Sequence, residues 1–159
     1  MGATKSAVDV GLEFEFEYHA MLKPPVEIGP CPYGTRRFYE AVGGEVTGER
    51  ISGRVLSGGG DWILIGPDGW GRLDVRAQIQ TADNAFIFMS YFGVLERNDA
   101  VRRATETGGG TDYEEHYFRT APRLETGDAR YAWLNQTLFV AQGRIYPGGD
   151  VQYRVFRVT

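Results

Sequence analysis

Apolar and polar residues alternate with a period of two along much of the chain. In LEFEFEYHAML, residues 12–22, Leu12, Phe14, Phe16, Tyr18 and Ala20 fall on one face and Glu13, Glu15, Glu17 and His19 on the other. A helix would scatter both sets, so a half-buried strand with a solvated acidic side is expected. Pro24-Pro25 and Gly29-Pro30-Cys31-Pro32 cannot pair in the middle of a sheet and read as a crossing loop. A strand at about 33–42, a Gly43-Gly44 turn and a strand at 49–56 follow. Further strands are expected at 85–95, 115–120, 137–145 and 151–158, the last two joined by Pro147-Gly148-Gly149-Asp150.

Between residues 58 and 76, GGGDWILIGPDGWGRLDVR reads as a hairpin over Gly66-Pro67-Asp68-Gly69. Proline presets the first turn position and glycine accepts the positive φ of a bulged type I turn. A three-residue loop sets Gly66 against Trp70, Leu64 against Arg72, Trp62 against Asp74 and Gly60 against Arg76. Trp62, Asp74 and Arg76 then share a face. A two-residue loop would put Asp61 there instead of Trp62, because a one-residue slip turns every side chain over.

Two segments break the strand pattern. NDAVRRATET, residues 98–107, followed by three glycines, reads as a short helix on a flexible hinge. Residues 126–134 read as a helical turn capped by Thr126, with Asp128 at its positive end. Each is placed to close a barrel mouth or to serve as an ordinary connection. Eight to ten short strands and one or two helical segments describe an all-β fold, a closed antiparallel barrel or a sandwich.

Composition narrows the partners. The 159 residues suit a single domain with one core. The net charge of −4 and the absence of a basic block argue against nucleic acid. Lys5 and Lys23 are the only lysines; the other basic residues are arginine, a planar carboxylate binder or simply a mark of base composition. Cys31 is alone, which fits a reduced, cytoplasmic protein. The longest mostly apolar stretch, residues 85–95, is far short of a bilayer span, so no membrane partner is expected. Met1 to Ser6 matches a myristoylation pattern and Asn135-Gln136-Thr137 a glycosylation acceptor; both are short patterns set aside here.

Missing motifs narrow the chemistry. His19 and His116 are the only histidines and lack a second ligand at helical or strand spacing, so no metal is expected. No serine sits in a nucleophile elbow, and the glycine clusters lack the lysine and setting of a phosphate loop. Carboxylate, guanidinium and aromatic groups remain, and no cofactor is called for.

GGGDW (58–62), PDGWGRLDVR (67–76), YFRTAPRLET (117–126), RYAWLNQTLFVAQGR (130–144) and VQYRVFRV (151–158) resemble the bacterial proteins grouped as domain of unknown function 3237, also described as UPF0311-like. The similarity spans almost the whole chain, although Leu124 stands where that pattern has an aromatic and Asp83-Asn84 where an Asp-Gly turn is usual. The resemblance implies a closed antiparallel β-barrel, lipocalin- or avidin-like in general shape, a homodimer, and a small-molecule site in the interior. It carries Asp61, Trp62, Asp74, Arg76, Arg119, Trp133 and Asn135 over as candidate site residues, and turns Asp74 and Arg76 inward while leaving Arg72 on the surface.

In the resulting expectation Asp74, Arg76 and Asp61 are the catalytic candidates. A carboxylate moves a proton, Arg76 or Arg119 binds an oxyanion in bidentate fashion, and Trp62 and Trp133 wall off water. Tyr91, Tyr117, His116 and Asn135 complete the binding set. The competing reading of Asp74 and Arg76 is a solvated face with weak ion pairs, that of His116 a structural histidine, and that of the tyrosines ordinary core. Two functions fit: a cofactor-independent isomerase, cyclase or carbon–carbon lyase acting on a small carbonyl or carboxylate compound, or a non-catalytic dimeric binder of such a ligand.

Overall fold

The computed structural model describes residues 9–159; the Met1 to Ser6 pattern lies outside them. Its strands are β1 (Leu12–Leu22), β2 (Val26–Cys31), β3 (Gly34–Gly48), β4 (Ser52–Val55), β5 (Gly59–Ile65), β6 (Gly71–Thr81), β7 (Phe86–Leu95), β8 (Phe118–Glu125), β9 (Phe139–Tyr146) and β10 (Asp150–Val158). Every pairing is antiparallel. β1 pairs with β10 on one side and β3 on the other, which closes an eight-stranded barrel through β3, β5, β6, β7, β8, β9 and β10. β4 bridges β3 and β6 at one end, and β2 flanks β3 at the other.

Several boundaries differ from the expectations, each for a physical reason. The proline-rich stretch at 26–31 is a strand after all, but an edge strand, where proline is tolerated. Gly43-Gly44 does not end β3. A bulge at Val42 in its pairing with β1 bends the strand, which keeps β2 and then β1 along one edge and β5 and then β4 along the other. β8 begins at Phe118 rather than 115, because Glu115 closes a turn with Asp112. Pro122 sits inside β8 yet faces β7 only; β8 meets β9 just at Arg119 and Thr120.

β1 holds the largest correction to the alternation. A bulge between Phe14 and Phe16 shifts the register, so Leu12 and Phe14 face solvent and Glu15 is buried. Arg50 and Arg157 pair with that carboxylate. The buried charge is thereby compensated rather than solvated as expected.

The helical segments cover opposite ends. α1 (Asp99–Thr107) is capped by Asn98, which accepts from the Val101 amide, and ends at Gly108 in left-handed geometry. Val101 and Ala104 face the barrel mouth. Its glycine-rich exit is pinned, not a free hinge: Gly148 donates to the Gly108 carbonyl and Thr111 to that of Ile145. At the far end a 3-10 segment, Ala129–Gln136, buries Tyr131 and Leu134. Asp128 caps it, while the Thr126 hydroxyl accepts from the Asp128 amide one step earlier than expected for the cap.

The interior is divided along the barrel axis. Toward the 3-10 segment, Phe16, Ile79, Ile87, Met89, Leu134 and Phe139 fill it completely. Toward α1 the inward positions include Ala20, Ala41 and Ala77, and the space they leave is hollow.

Barrel closure depends on close backbone approach at the β3 bend. Gly44 has φ 136°, and a Cβ there would lie 1.9 Å from the His19 carbonyl oxygen. We expect Gly44→Ala to destabilise the fold by about 2–4 kcal/mol, read as a lower denaturation midpoint in urea.

Candidate functional site

The hollow half of the barrel encloses a cavity of about 460 Å³ whose walls are mostly apolar, among them Ile63, Ile65, Leu73, Val75, Leu95 and Val151. Three tyrosines form its floor. Tyr18 and Tyr153 stack at 5.4 Å between ring centroids, and Tyr91 meets Tyr153 edge-on at 5.4 Å. Phe118 packs edge-on against Tyr153 from the other side. Burial raises all three tyrosine pKa values, Tyr18 to about 12, and the nearby Asp61 charge adds to the rise in Tyr18 and Tyr153. All three are therefore neutral phenols able to donate a hydrogen bond at physiological pH.

Asp61 is the carboxylate of this cavity. Hydrogen-bonded pairs in an antiparallel ladder recur every second residue. Because Gly66 donates to the Trp70 carbonyl at 2.9 Å, the Asp74 amide would regularly donate to the carbonyl of Trp62. It donates instead to Asp61 Oδ1 at 3.0 Å, and Arg36 takes the Trp62 carbonyl at 2.8 Å. The Asp61 side chain has entered the β5–β6 ladder from inside. Oδ2 has no hydrogen-bond partner among the described residues. Tyr39, Asp61, Val75 and Tyr91 are successive cross-strand partners around the wall, which puts carboxylate and phenols in one layer.

The surroundings shift Asp61 strongly. Burial raises its pKa from the ordinary 3.8 to about 7; the Asp74 amide pulls it down, the Asp74 charge pushes it up and Arg36 offsets part of the rise. Such a value in a cleft marks a functional-site candidate.

The hairpin register agrees with the three-residue loop: Gly60 faces Arg76 and Leu64 faces Arg72. Trp62, Asp74 and Arg76 do share a face, but it is the outer one. Leu73, Val75 and Ala77 occupy the inner face of β6, and enclosing the charges would have exposed these apolar residues. Asp74 and Arg76 are exposed, and Trp62 stacks on Phe38 outside the barrel at 4.5 Å. Arg72 bonds Asp68 at the turn, on the surface as expected.

Of the other candidates, only Tyr91 lines the cavity. Arg119 lies over the ring of exposed Tyr117 on the outer wall, because the buried positions of β8 are Phe118, Thr120, Pro122 and Leu124. Trp133 packs at the opposite end, under the Arg50 guanidinium at 3.8 Å. Asn135 ties its segment to β8, accepting from the Thr126 amide and donating to its carbonyl. His116 is buried outside the cavity, with Nε2 2.6 Å from the Thr111 hydroxyl; burial lowers its pKa.

At the mouth stand Lys23, Glu27, Arg37 and Arg97, none of them anticipated from the sequence. Tyr18 and Tyr153 carried a legible signal, since a tyrosine on an apolar strand face must place its hydroxyl somewhere. No group of three or more histidine, cysteine or acidic side chains among the described residues is arranged to hold a metal ion. Among the same residues no helix is long and apolar enough to cross a membrane.

The raised pKa of Asp61 has a consequence for stability. Between pH near 3.8 and about 7 the folded chain holds a proton that the unfolded chain has released, so stability falls as pH rises across that window and levels off above it. Asp61→Asn keeps the acceptor for the Asp74 amide and removes the charge. We expect it to stabilise the protein by roughly 2–4 kcal/mol at pH 8 and by nothing below pH 4, as followed by thermal melts across pH.

Relatives of this chain share its fold. A UPF0311 protein of Rhodopseudomonas palustris (strain ATCC BAA-98 / CGA009) is 35% identical over 128 residues, covering 80% of this chain and 84% of the relative. The crystal structure of a conserved protein of unknown function from Rhodopseudomonas palustris matches with a TM-score of 0.87 at 32% identity, over 95% of this chain and 99% of that one. A β-barrel-like protein of Acinetobacter baumannii matches with a TM-score of 0.82 at 26% identity, over 98% and 100%. PR-toxin biosynthesis cluster protein 7 of Penicillium roqueforti is 30% identical over 142 residues, 74% of this chain and 73% of the relative. The family described as protein of unknown function (DUF3237) matches residues 10–158, and the chain belongs to it.

Proposed function

We propose that this protein is a cofactor-independent acid/base enzyme that acts on a small organic carbonyl compound held in the barrel, with Asp61 as the proton carrier. The observation that carries the reading is one carboxylate, with one oxygen free and its pKa near 7, facing an enclosed apolar cavity beside neutral phenols. A base works best when its pKa lies near the operating pH. The fungal relative's place in a toxin biosynthesis cluster fits chemistry on small organic compounds.

In the mechanism the ionised Asp61 removes a proton from the carbon next to a carbonyl. The phenol of Tyr91 or Tyr18 donates a hydrogen bond to the oxygen on which negative charge develops. Asp61, now protonated, returns the proton to another carbon of the same conjugated enolate, giving an isomer. The apolar walls exclude water that would otherwise quench the charge. The outward Asp74 takes no part beyond its amide and its field.

The test is solvent exchange. Cyclic ketones and 1,3-dicarbonyl compounds are incubated with the protein in D₂O and followed by NMR. We expect deuterium incorporation that rises through pH 7 and falls on the order of 10²–10⁴-fold in Asp61→Asn, while Asp74→Asn exchanges at close to the wild-type rate. Equal exchange in wild type and Asp61→Asn would remove Asp61 from catalysis. Tight binding without exchange would favour the non-catalytic binder.

A further inference from the structure

The cavity has a second pole. Arg97 follows β7 by two residues, stands at the mouth beneath α1 and lines the cavity. Each neighbouring acid is already engaged. Glu27 binds Arg37 at 2.9 Å, Glu40 binds Lys23 at 2.7 Å, Asp99 binds Arg102, and Glu96 accepts from the Tyr117 amide at 3.0 Å. Arg97 itself has no acidic partner and no side-chain hydrogen bond among the described residues. It is also half-buried, so it is poorly placed to rely on bulk water.

A guanidinium in this position is costly unless something pairs with it. Burial and the like charges of Arg37 and Arg102 bear on Arg97. The described residues supply no counter-ion, and the group faces the space a ligand would occupy. Three of these acids pair with cations and Glu96 with a main-chain amide, which leaves Arg97 as the cation of this group with no acidic partner among the described residues. A single planar guanidinium suits a carboxylate, which can take two of its N–H donors at once.

The poles are well separated. Asp61 pairs with Val75, and Leu95 pairs with Gly71 four residues along the same strand, so the backbone of Arg97 lies ~13 Å or more toward the mouth. The charges acting on Asp61 are those of Asp74 and Arg36, while those acting on Arg97 are Arg37 and Arg102. Apolar wall fills the interval.

We infer that the natural ligand is an amphipathic monocarboxylic acid: its carboxylate is clamped in bidentate fashion by Arg97 at the mouth, and its apolar body carries the reactive carbonyl down to Asp61. The clamp deepens the enzymatic reading, and it also orients the ligand so that only one end reaches the floor. Arg97 is thus a binding residue whose role does not require that Asp61 catalyse anything.

The experiment is calorimetric titration at pH 7.5 with phenylpyruvate, benzoate and cyclohexanecarboxylate, each beside its methyl ester, and with phenyl phosphate. We expect at least one acid to bind more tightly than its ester. Arg97→Gln should weaken that acid about 10–100-fold, as for loss of a charge-assisted hydrogen bond, and leave the ester unchanged. Arg97→Lys, which keeps the charge but loses the fork, should fall between. Circular dichroism and melting of both variants establish that they fold. Acid affinity unchanged by Arg97→Gln, no preference of any acid over its ester, or tighter binding of phenyl phosphate than of every acid would overturn the inference. Arg97-dependent acid binding that survives in Asp61→Asn, with no exchange in D₂O by either protein, would sink the catalytic reading and leave the carboxylate clamp standing. Exchange lost in Asp61→Asn without any acid preference would do the reverse.

Discussion

Closure of the ladder by β1 is the constraint from which the rest follows. Once β1 pairs with both β10 and β3, every strand on the closed path has one enclosed face and one wet face, and the main-chain edge left on that path lies chiefly where β8 and β9 part beyond Arg119 and Thr120. An eight-stranded barrel is just wide enough for side chains to fill. Whether it contains a core or a chamber is then decided by side-chain volume, layer by layer. Phe16, Met89 and Phe139 choose core at one end; Ala20, Ala41 and Ala77 choose chamber at the other. The tyrosine layer is the boundary, with rings that pack downward and hydroxyls that supply polarity at the floor of the space above.

Asp61 shows how such a wall can hold a polar group without breaking. Its carboxylate replaces a carbonyl as acceptor for one ladder amide, and Arg36 satisfies the carbonyl so displaced. No main-chain group of that exchange is orphaned, which matters because an unpaired buried amide or carbonyl costs about 1–3 kcal/mol. The cost that remains is electrostatic, since desolvation outweighs the hydrogen bond and lifts the proton affinity. The groups that make Asp61 expensive at high pH are those that bring its proton affinity into the neutral range, a combination common at functional sites.

Much of the architecture was legible in the amino-acid order. Gly66-Pro67-Asp68-Gly69 marked the hairpin, and of the two loop lengths it allowed, the three-residue loop gives the register found. What alternation does not state is which face turns inward. In GRLDVRAQIQT the charged and apolar sets are equally periodic, and only the enclosure of Leu73, Val75, Ala77 and Ile79 rejects an inward Asp74 and Arg76. β1 failed differently. A one-residue bulge leaves no mark in composition, yet it carried Phe14 out and Glu15 in. Arg97 was illegible for a third reason: it falls between a strand and a helix, where neither periodicity applies, and its significance lies in the acids that other arginines and a lysine have already taken. Among the catalytic candidates, Asp61 was named by motif, and its place inside came from the register that also put Trp62 outside.

The helix over the mouth has its own consequence. α1 turns only Val101 and Ala104 into the protein, whereas β6 and β7 beneath it pair over ten successive residues. Peeling it back would uncover roughly 3 kcal/mol worth of apolar contact, a small part of what opening the barrel itself would require. Its two ends stay fastened, by Asn98 to the Glu115 carbonyl and by Gly108 to the Gly148 amide. Opening at the mouth can therefore be a local fluctuation that recurs many times within the lifetime of the folded state, governed by one nine-residue helix rather than by the fold.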